Sequence, residues 1–277
     1  MSTKVGVFDS GVGGLSVFQK IKKLKPAFEV IYFGDTAHVP YGSRSAEELR
    51  FFSDVISSFL IEQGADIIID ACNSTSAVAL DYLSSKYPLP FIGVITPGVK
   101  LALEETKNKK IGILATLTTI RSKVHEKALK AVDEKIEVYG VACPLFVPLV
   151  EMGMVEGPLV REVAFNYLQP LQEVGVDTVI LGCTHYPYLL PVLREIMGEE
   201  VKFVDPAEEV AHILLPLLND AAEKKGKDIF FVSGEVNSFK KTALKLLGND
   251  ARLLGHIKQI DLFQTEVDWS KIRHGAY

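Results

Sequence analysis

Ile67–Ala77 reads IIIDACNSTSA, and Val179–Pro187 reads VILGCTHYP. In each stretch an apolar run ends in a cysteine followed by small polar residues. Ile67, Ile68 and Ile69 lead to Cys72, Asn73, Ser74, Thr75 and Ser76; Val179, Ile180 and Leu181 lead to Cys183, Thr184 and His185. A short, largely β-branched run that stops at small polar residues predicts a buried parallel strand and its C-terminal loop. In open α/β sheets that loop is where ligands bind. Two such ends, each with a thiol, predict a site with one cysteine on either side.

The flanking sequence repeats the pattern. Val5–Phe8 predicts a strand running into Asp9-Ser10-Gly11-Val12-Gly13-Gly14, then a helix carrying Leu15, Phe18 and Ile21 on one side. Val30–Phe33 predicts the next strand, ending at Asp35. Ser45 with Glu48 forms a capping box before a helix with Leu49, Phe52, Ile56, Phe59 and Leu60 in register. The Ile67 strand, a helix near Ala77–Ser84 and the strand Phe91–Val94 follow. After the charged break Lys107–Lys110 the order begins again: strands at Ile111–Leu114, Val138–Val141, Thr178–Leu181 and Lys202–Val204. Val5-Gly6-Val7-Phe8 aligns with Ile111-Gly112-Ile113-Leu114. From Asp9 to Cys72 is 63 positions, and from Ala115 to Cys183 is 68. Pro97 and Pro206 each open the helix after a fourth strand, a favoured first-turn position. This is a duplicated four-strand α/β unit. It predicts two similar parallel-sheet domains, residues 1–96 plus 207–277 and residues 97–206, with the site in the cleft between them. The segment after Asp205, with a strand at Phe230–Val232, is expected to return to the first unit.

Composition limits the function classes. The chain has 277 residues, which suggests roughly two domains; it is 48 % hydrophobic and 23 % charged, with net charge −5. No basic footprint for nucleic acid or polybasic patch for a membrane surface stands out. The longest uncharged apolar stretch, Val138–Val150, is too short and too broken by proline to span a bilayer. The N-terminus has no apolar signal core. Three cysteines argue against a disulfide scaffold, and a reducing cytoplasm is the expected compartment.

The chemistry these landmarks offer is proton transfer. A thiolate takes a proton and a thiol gives one, and a thiol is acidified at a helix start or beside a cation, so some lowering is expected at Cys72, where a strand ends and a helix starts. Two thiols on opposite faces of one carbon permit removal from one side and delivery to the other. Asp9 and His185, one per repeat, are the natural auxiliaries. Ser10, Asn73, Ser74, Thr75, Thr116, Thr119 and Thr184 supply neutral hydrogen-bonding groups suited to a small carboxylate ligand. Bland readings stand beside these: Asp9 as a helix cap, and His185 as a structural histidine. A cysteine among apolar residues and prolines is ordinarily a small core hydrophobe, and Cys143 is read that way. Cys183-Thr-His185 lacks the second cluster a metal site needs. The glycines at 11, 13 and 14 match no nucleotide fingerprint, and no lysine stands out for a pyridoxal cofactor.

At these residues the chain resembles the glutamate racemases over nearly its whole length. The resemblance rests on FDSGVGGLSV at Phe8–Val17, YFGDTAHVPYG at Tyr32–Gly42, ACN at Ala71–Asn73 and LGCTHYP at Leu181–Pro187. It implies a cofactor-independent isomerase that interconverts L- and D-glutamate and supplies the D-isomer for peptidoglycan. It implies Cys72 and Cys183 as the two acid/bases, with Asp9 supporting Cys72, and Glu151 and His185 supporting Cys183. It implies substrate contacts from Asp9, Ser10, Tyr41, Gly42, Asn73, Ser74, Thr184 and His185. A homodimer is the expected assembly, with no metal, and no segment ahead of the first strand to hold a regulator. Three positions depart from the family pattern: Ser74 where threonine is usual, Thr75 where a small apolar residue is usual, and Asp70 where an aliphatic is usual. Aspartate racemisation within the same superfamily, and ligand capture by a non-catalytic two-lobed protein, are the rival readings.

Overall fold

The structure, a computed structural model, describes residues 3–26, 28–217 and 227–263. Segments 218–226 and 264–277, which the sequence reading assigns to the first unit, lie outside these residues.

Two parallel sheets carry the fold. The first contains β1 (Lys4–Asp9), β2 (Glu29–Gly34), β3 (Ile67–Asp70), β4 (Phe91–Gly93), β9 (Ile229–Val232) and β10 (His256–Gln259), in the order β10-β9-β2-β1-β3-β4. The second contains β5 (Lys110–Ala115), β6 (Glu137–Ala142), β7 (Thr178–Gly182) and β8 (Lys202–Val204), in the order β6-β5-β7-β8. The sequence repeat is therefore a repeat of topology, with second, first, third and fourth strands side by side in both units. β9 and β10 extend the first sheet beyond β2, as the expected return of the C-terminal segment requires.

Side chains alternate across each sheet because successive strand residues point to opposite faces. In the first sheet Val5, Val7, Val30 and Tyr32 enter one core, while Phe8, Ile31 and Phe33 enter the other. Both faces are covered by helices, which explains why the strands read as nearly continuous apolar runs. The helix Leu15–Leu24 packs Leu15, Phe18 and Ile21 into the first core. The helix Ala46–Glu62 packs Leu49, Phe52, Ile56 and Leu60 into the second. Its capping box is present as expected: the Glu48 amide donates to Ser45 and the Ser45 amide to Glu48. Full burial of each large apolar side chain contributes about 1.5–3 kcal/mol, so truncating Phe18 to alanine would cost about 3–5 kcal/mol.

The two units exchange helices. The helix Ile95–Glu105 follows β4 of the first sheet but packs Val99 and Ala102 against Ile111, Ile113 and Ile180 of the second. The helix Pro206–Leu214 follows β8 but packs Val210, Ala211 and Leu214 with Leu15 and Phe18 of the first. Two details differ from expectation. The helix near Ala77–Ser84 is two pieces, Asn73–Ser76 and Leu80–Lys86. The first piece begins directly after Cys72, where Ser and Thr side chains bond back to the strand end. Pro97 is the third residue of its helix, whereas Pro206 is the first of its own.

Candidate functional site

Register sets the site. Phe8 pairs with Asp70 across β1 and β3, so the loops carrying Asp9 and Cys72 leave the same C-terminal edge. Ala115 pairs with Gly182 across β5 and β7, so Thr116 and Cys183 leave the matching edge of the second sheet. Side chains from the two edges then bond to each other. The Thr184 hydroxyl donates to Asp9 Oδ1 at 3.0 Å, and Ser74 and Thr116 join hydroxyl to hydroxyl at 2.9 Å. Thr119 extends that second contact to Thr116 at 3.1 Å. Cys72 and Cys183 are both buried free thiols.

The Cys183 side of the site is built round His185. The imidazole Nδ1 lies 3.7 Å from Cys183 Sγ, and Nε2 lies 2.7 Å from Glu151 Oε1. Burial alone would push the ring's pKa down, but Cys183 and Glu151 outweigh it and hold the imidazolium well above its ordinary range. Glu151 is anchored in turn, because the Val12 amide donates to its Oε1 at 3.1 Å. The glycines of the first loop make this approach possible. A Cβ on Gly11 would stand 2.2 Å from Glu151 Oε1, and one on Gly13 would stand 2.4 Å from His185 Nδ1.

The Cys72 side has the opposite electrostatics. Against the acidification expected at a helix start, burial pushes the Cys72 thiol up, and the neighbouring carboxyls of Asp9 and Asp70 push it further. Asp9 is itself fully buried; burial raises its carboxyl, and the His185 charge, the Gly11 and Gly14 amides and the Thr184 hydroxyl pull it back only in part. The Gly11 amide donates to Asp9 Oδ2 at 3.0 Å.

The remaining expected residues divide by what their polar atoms touch. Asn73 Oδ1 is buried without a hydrogen-bond partner. Asn73, Cys183 and Thr184 line one small cavity of about 10 Å³ with Ser16 and Asp205. Ser10 is buried at the end of β1. Gly42 offers its carbonyl to the Thr118 hydroxyl at 3.0 Å. The Thr75 hydroxyl is engaged by Asp70 and by the Cys72 carbonyl, and the Tyr41 hydroxyl is donated to Asp35. Both bond within the protein; a parallel run of small polar residues in the sequence does not separate those facing a cleft from those tying a turn. Asp35 is the residue sequence reasoning passed over. It is fully buried and also accepts from the Ser233 hydroxyl at 2.6 Å, and its only sequence signal is an acid at a strand end. Cys143 is fully buried among Phe146, Leu149 and Tyr186, and is a core residue. Among the described residues no group of three or more His, Cys, Asp or Glu could hold a metal ion, and no helix is long and apolar enough to cross a membrane.

This arrangement offers one thiol beside a cationic imidazole and another beside carboxyls, with hydroxyls and amides between. Comparison with known proteins points the same way. The family model described as Asp/Glu/hydantoin racemase matches residues 5–214. The glutamate racemase of Thermoanaerobacter pseudethanolicus is 45 % identical over 262 residues, covering 92 % of this chain and 97 % of that one. The crystal structure of glutamate racemase isoform RacE1 from Bacillus anthracis superposes with a TM-score of 0.87 at 36 % identity, covering 94 % of this chain and 98 % of that one. The glutamate racemase of Francisella tularensis, solved in complex with D-glutamate, gives 0.85 at 33 % identity, covering 95 % and 98 %. With the duplicated fold, the paired cysteines and these matches in hand, the chain belongs to the Asp/Glu/hydantoin racemase family and is an isomerase of the amino-acid racemase kind.

Proposed function

We propose that the chain racemises glutamate, with Cys72 and Cys183 as acid and base on opposite faces of the α-carbon and no cofactor in the reaction. The observation that carries this reading is the symmetry of the two thiols. Each follows the third strand of its unit, and hydroxyl bonds join the loops around them. Their environments differ in the sense a two-base reaction needs. Cys183 faces the imidazolium of His185 and is assigned the role of base in one direction. Cys72 faces carboxyls and begins as thiol.

Catalysis then runs in balanced steps. The Cys183 thiolate removes the α-proton from one face and becomes a thiol. The electron pair stays on the carbon, delocalised into the substrate carboxylate. Cys72 delivers its proton to the opposite face and becomes a thiolate. The reverse direction starts from that state, with Cys72 as base and Cys183 as acid. His185 with Glu151 supports Cys183, and Asp9 supports Cys72. Asn73, Ser74, Thr116, Thr119 and Thr184, with the backbone at Ser10, Tyr41 and Gly42, hold the substrate. Both thiols are buried and the cavity beside Cys183 is small, so substrate enters when the units part and is enclosed when the hydroxyl contacts re-form.

The same reading divides the chain at 96/97 and 206/207, inside the exchanged helices. It gives the product to peptidoglycan synthesis, the chain to the cytoplasm, and the assembly to a homodimer. A circular-dichroism assay on L- and D-glutamate, without added cofactor, tests it. Each enantiomer should lose its signal, and Cys72→Ala and Cys183→Ala should abolish the change. A preference for aspartate across a substrate panel would move the assignment to the sister activity, and glutamate binding without racemisation would leave a two-lobed binding protein.

A further inference from the structure

β3 ends in a carboxyl that the proposed reaction does not use. Asp70 is fully buried. Its Oδ1 accepts from the Cys72 amide at 3.2 Å and from the Thr75 hydroxyl at 2.5 Å. Its carbonyl accepts from the Ser76 hydroxyl at 3.0 Å, and the Thr75 hydroxyl also reaches the Cys72 carbonyl at 3.0 Å. Three of the bonds that hold the turn presenting Cys72 therefore end on this one residue. Its other oxygen, Oδ2, is buried without a hydrogen-bond partner. A buried carboxylate oxygen with no donor carries a large desolvation cost, and a neutral acid avoids most of it.

The neighbouring groups favour the neutral form. Asp9, at the end of the adjacent strand β1, faces Asp70 as a like charge, and burial with that charge moves the Asp70 carboxyl up to about 8. Around Cys72 stand Asp9, Asp70 and, from the other unit, Cys183; the phenols of Tyr32 and Tyr41 also feel its charge. An anion at Asp70 thus adds to a field already hostile to a thiolate at Cys72.

We propose that Asp70 is a positioning residue for Cys72: as a neutral acid it pins the Cys72 turn, and on ionising it disfavours the Cys72 thiolate, setting an alkaline limit on racemisation. The proposal rests on Cys72 as one of the two acid/bases. A Cys72 thiolate is the starting state in one direction and the end state in the other, so the limit applies to both.

Asp70→Asn tests it, because the amide keeps the Oδ1 acceptor and cannot ionise. Profiles of kcat/KM from pH 6.5 to 10 should fall above about pH 8 in the wild type and hold their plateau about one pH unit further in the variant. A purely structural role would lower activity at every pH and leave the profile's shape unchanged, and that result overturns the proposal. Iodoacetamide labelling read peptide by peptide is the second measurement. At pH 9 the ratio of Cys72 to Cys183 labelling should rise about tenfold in Asp70→Asn, the thiolate gain of one pKa unit; an unchanged ratio overturns the proposal. Labelling reads the coupling whether or not Cys72 is catalytic, whereas activity surviving in Cys72→Ala would sink the two-cysteine reading by itself. Should Asp70→Asn fail to fold, the wild type alone decides. Its Cys72 labelling should rise less steeply above pH 8 than below, and a constant tenfold rise per pH unit would refute the coupling.

Discussion

Thr184 donates its hydroxyl to Asp9 across 175 positions of sequence, at 3.0 Å. The bond ties the residue after one cysteine to the strand end beside the other. Ser74 and Thr116 make a second tie at 2.9 Å. Hydrogen bonds of this kind contribute about 1 kcal/mol each. They are enough to favour a closed arrangement and weak enough to yield when a ligand enters.

Two glycines test whether closure matters. A methyl at Gly42 would stand 2.6 Å from Thr116 Cβ, and one at Gly13 would stand 2.4 Å from His185 Nδ1 and 2.5 Å from Thr184 Oγ1. Neither glycine has positive φ, so alanine is tolerated by the backbone and only the close approach is lost. Gly42→Ala should raise KM roughly tenfold, equivalent to about 1.4 kcal/mol of binding. Gly13→Ala should displace His185 and lower kcat about a hundredfold, the scale of an ångström-sized misplacement. Both should melt within a few degrees of the wild type. Wild-type kinetics in both variants would mean that the closed contacts are not those of the reacting state.

The legible part of this molecule is what strand ends encode. Ile67–Ile69 and Val179–Leu181 announce buried strands, and because a parallel strand's C-terminal end is where a loop opens to a ligand, Cys72 and Cys183 follow from local sequence. The duplicated strand order follows from the duplicated landmarks. Contacts made between units are not local, and these escape. Nothing around Val12 says that its amide will meet Glu151, and nothing around Ser74 says that its hydroxyl will meet Thr116. Thr75 and Tyr41 escape differently. A hydroxyl beside a site residue has the same sequence signature whether it faces the cleft or an internal acid, and only the three-dimensional arrangement gives Thr75 to Asp70 and Tyr41 to Asp35.

His125 gives a pH-dependent prediction outside the site. It lies buried in the helix Val124–Val132, with Nε2 unpartnered. Burial lowers its pKa from 6.5 to about 4. A histidine depressed in the folded state binds its proton preferentially when unfolded. Its contribution is therefore complete above pH 6.5 and is lost as the pH falls towards 4. At 1.36 kcal/mol per unit this amounts to about 3 kcal/mol. Urea unfolding at pH 7 and pH 4 should show the wild type losing about that much more than His125→Leu. Equal losses would mean that the ring does not titrate on unfolding.

Asp9 and His185 should leave opposite signatures in the kinetics. Asp9 acts on Cys72 and His185 on Cys183. The equilibrium constant of a racemisation is one, so kcat/KM stays equal in the two directions whatever the mutation. Asymmetry must therefore appear in kcat and KM separately. In Asp9→Asn, kcat should fall more in one direction; in His185→Asn it should fall more in the other. Cys143→Ala, in the apolar core, should remain active. Symmetric, near-wild-type kcat values in both site variants would reassign Asp9 and His185 to purely structural roles.

The two-cysteine mechanism makes its sharpest prediction in heavy water. If the thiols face opposite sides of the α-carbon, the acid carries deuterium before the substrate arrives. The base removes protium from one face, and the acid delivers deuterium to the other. Product formed in the first few per cent of reaction should then carry deuterium at the α-position, while unreacted substrate remains protiated. A single base swinging between the two faces would instead hand part of the original protium back to the product. The electrostatic difference between the thiols does not change this expectation, because each direction uses one thiolate and one thiol. Replacing either cysteine by alanine removes the base in one direction and the acid in the other, so racemisation should collapse both ways. Mass spectrometry of early product from each enantiomer decides the matter: substantial protium carried into product would refute the two-cysteine reading even for an enzyme that racemises glutamate.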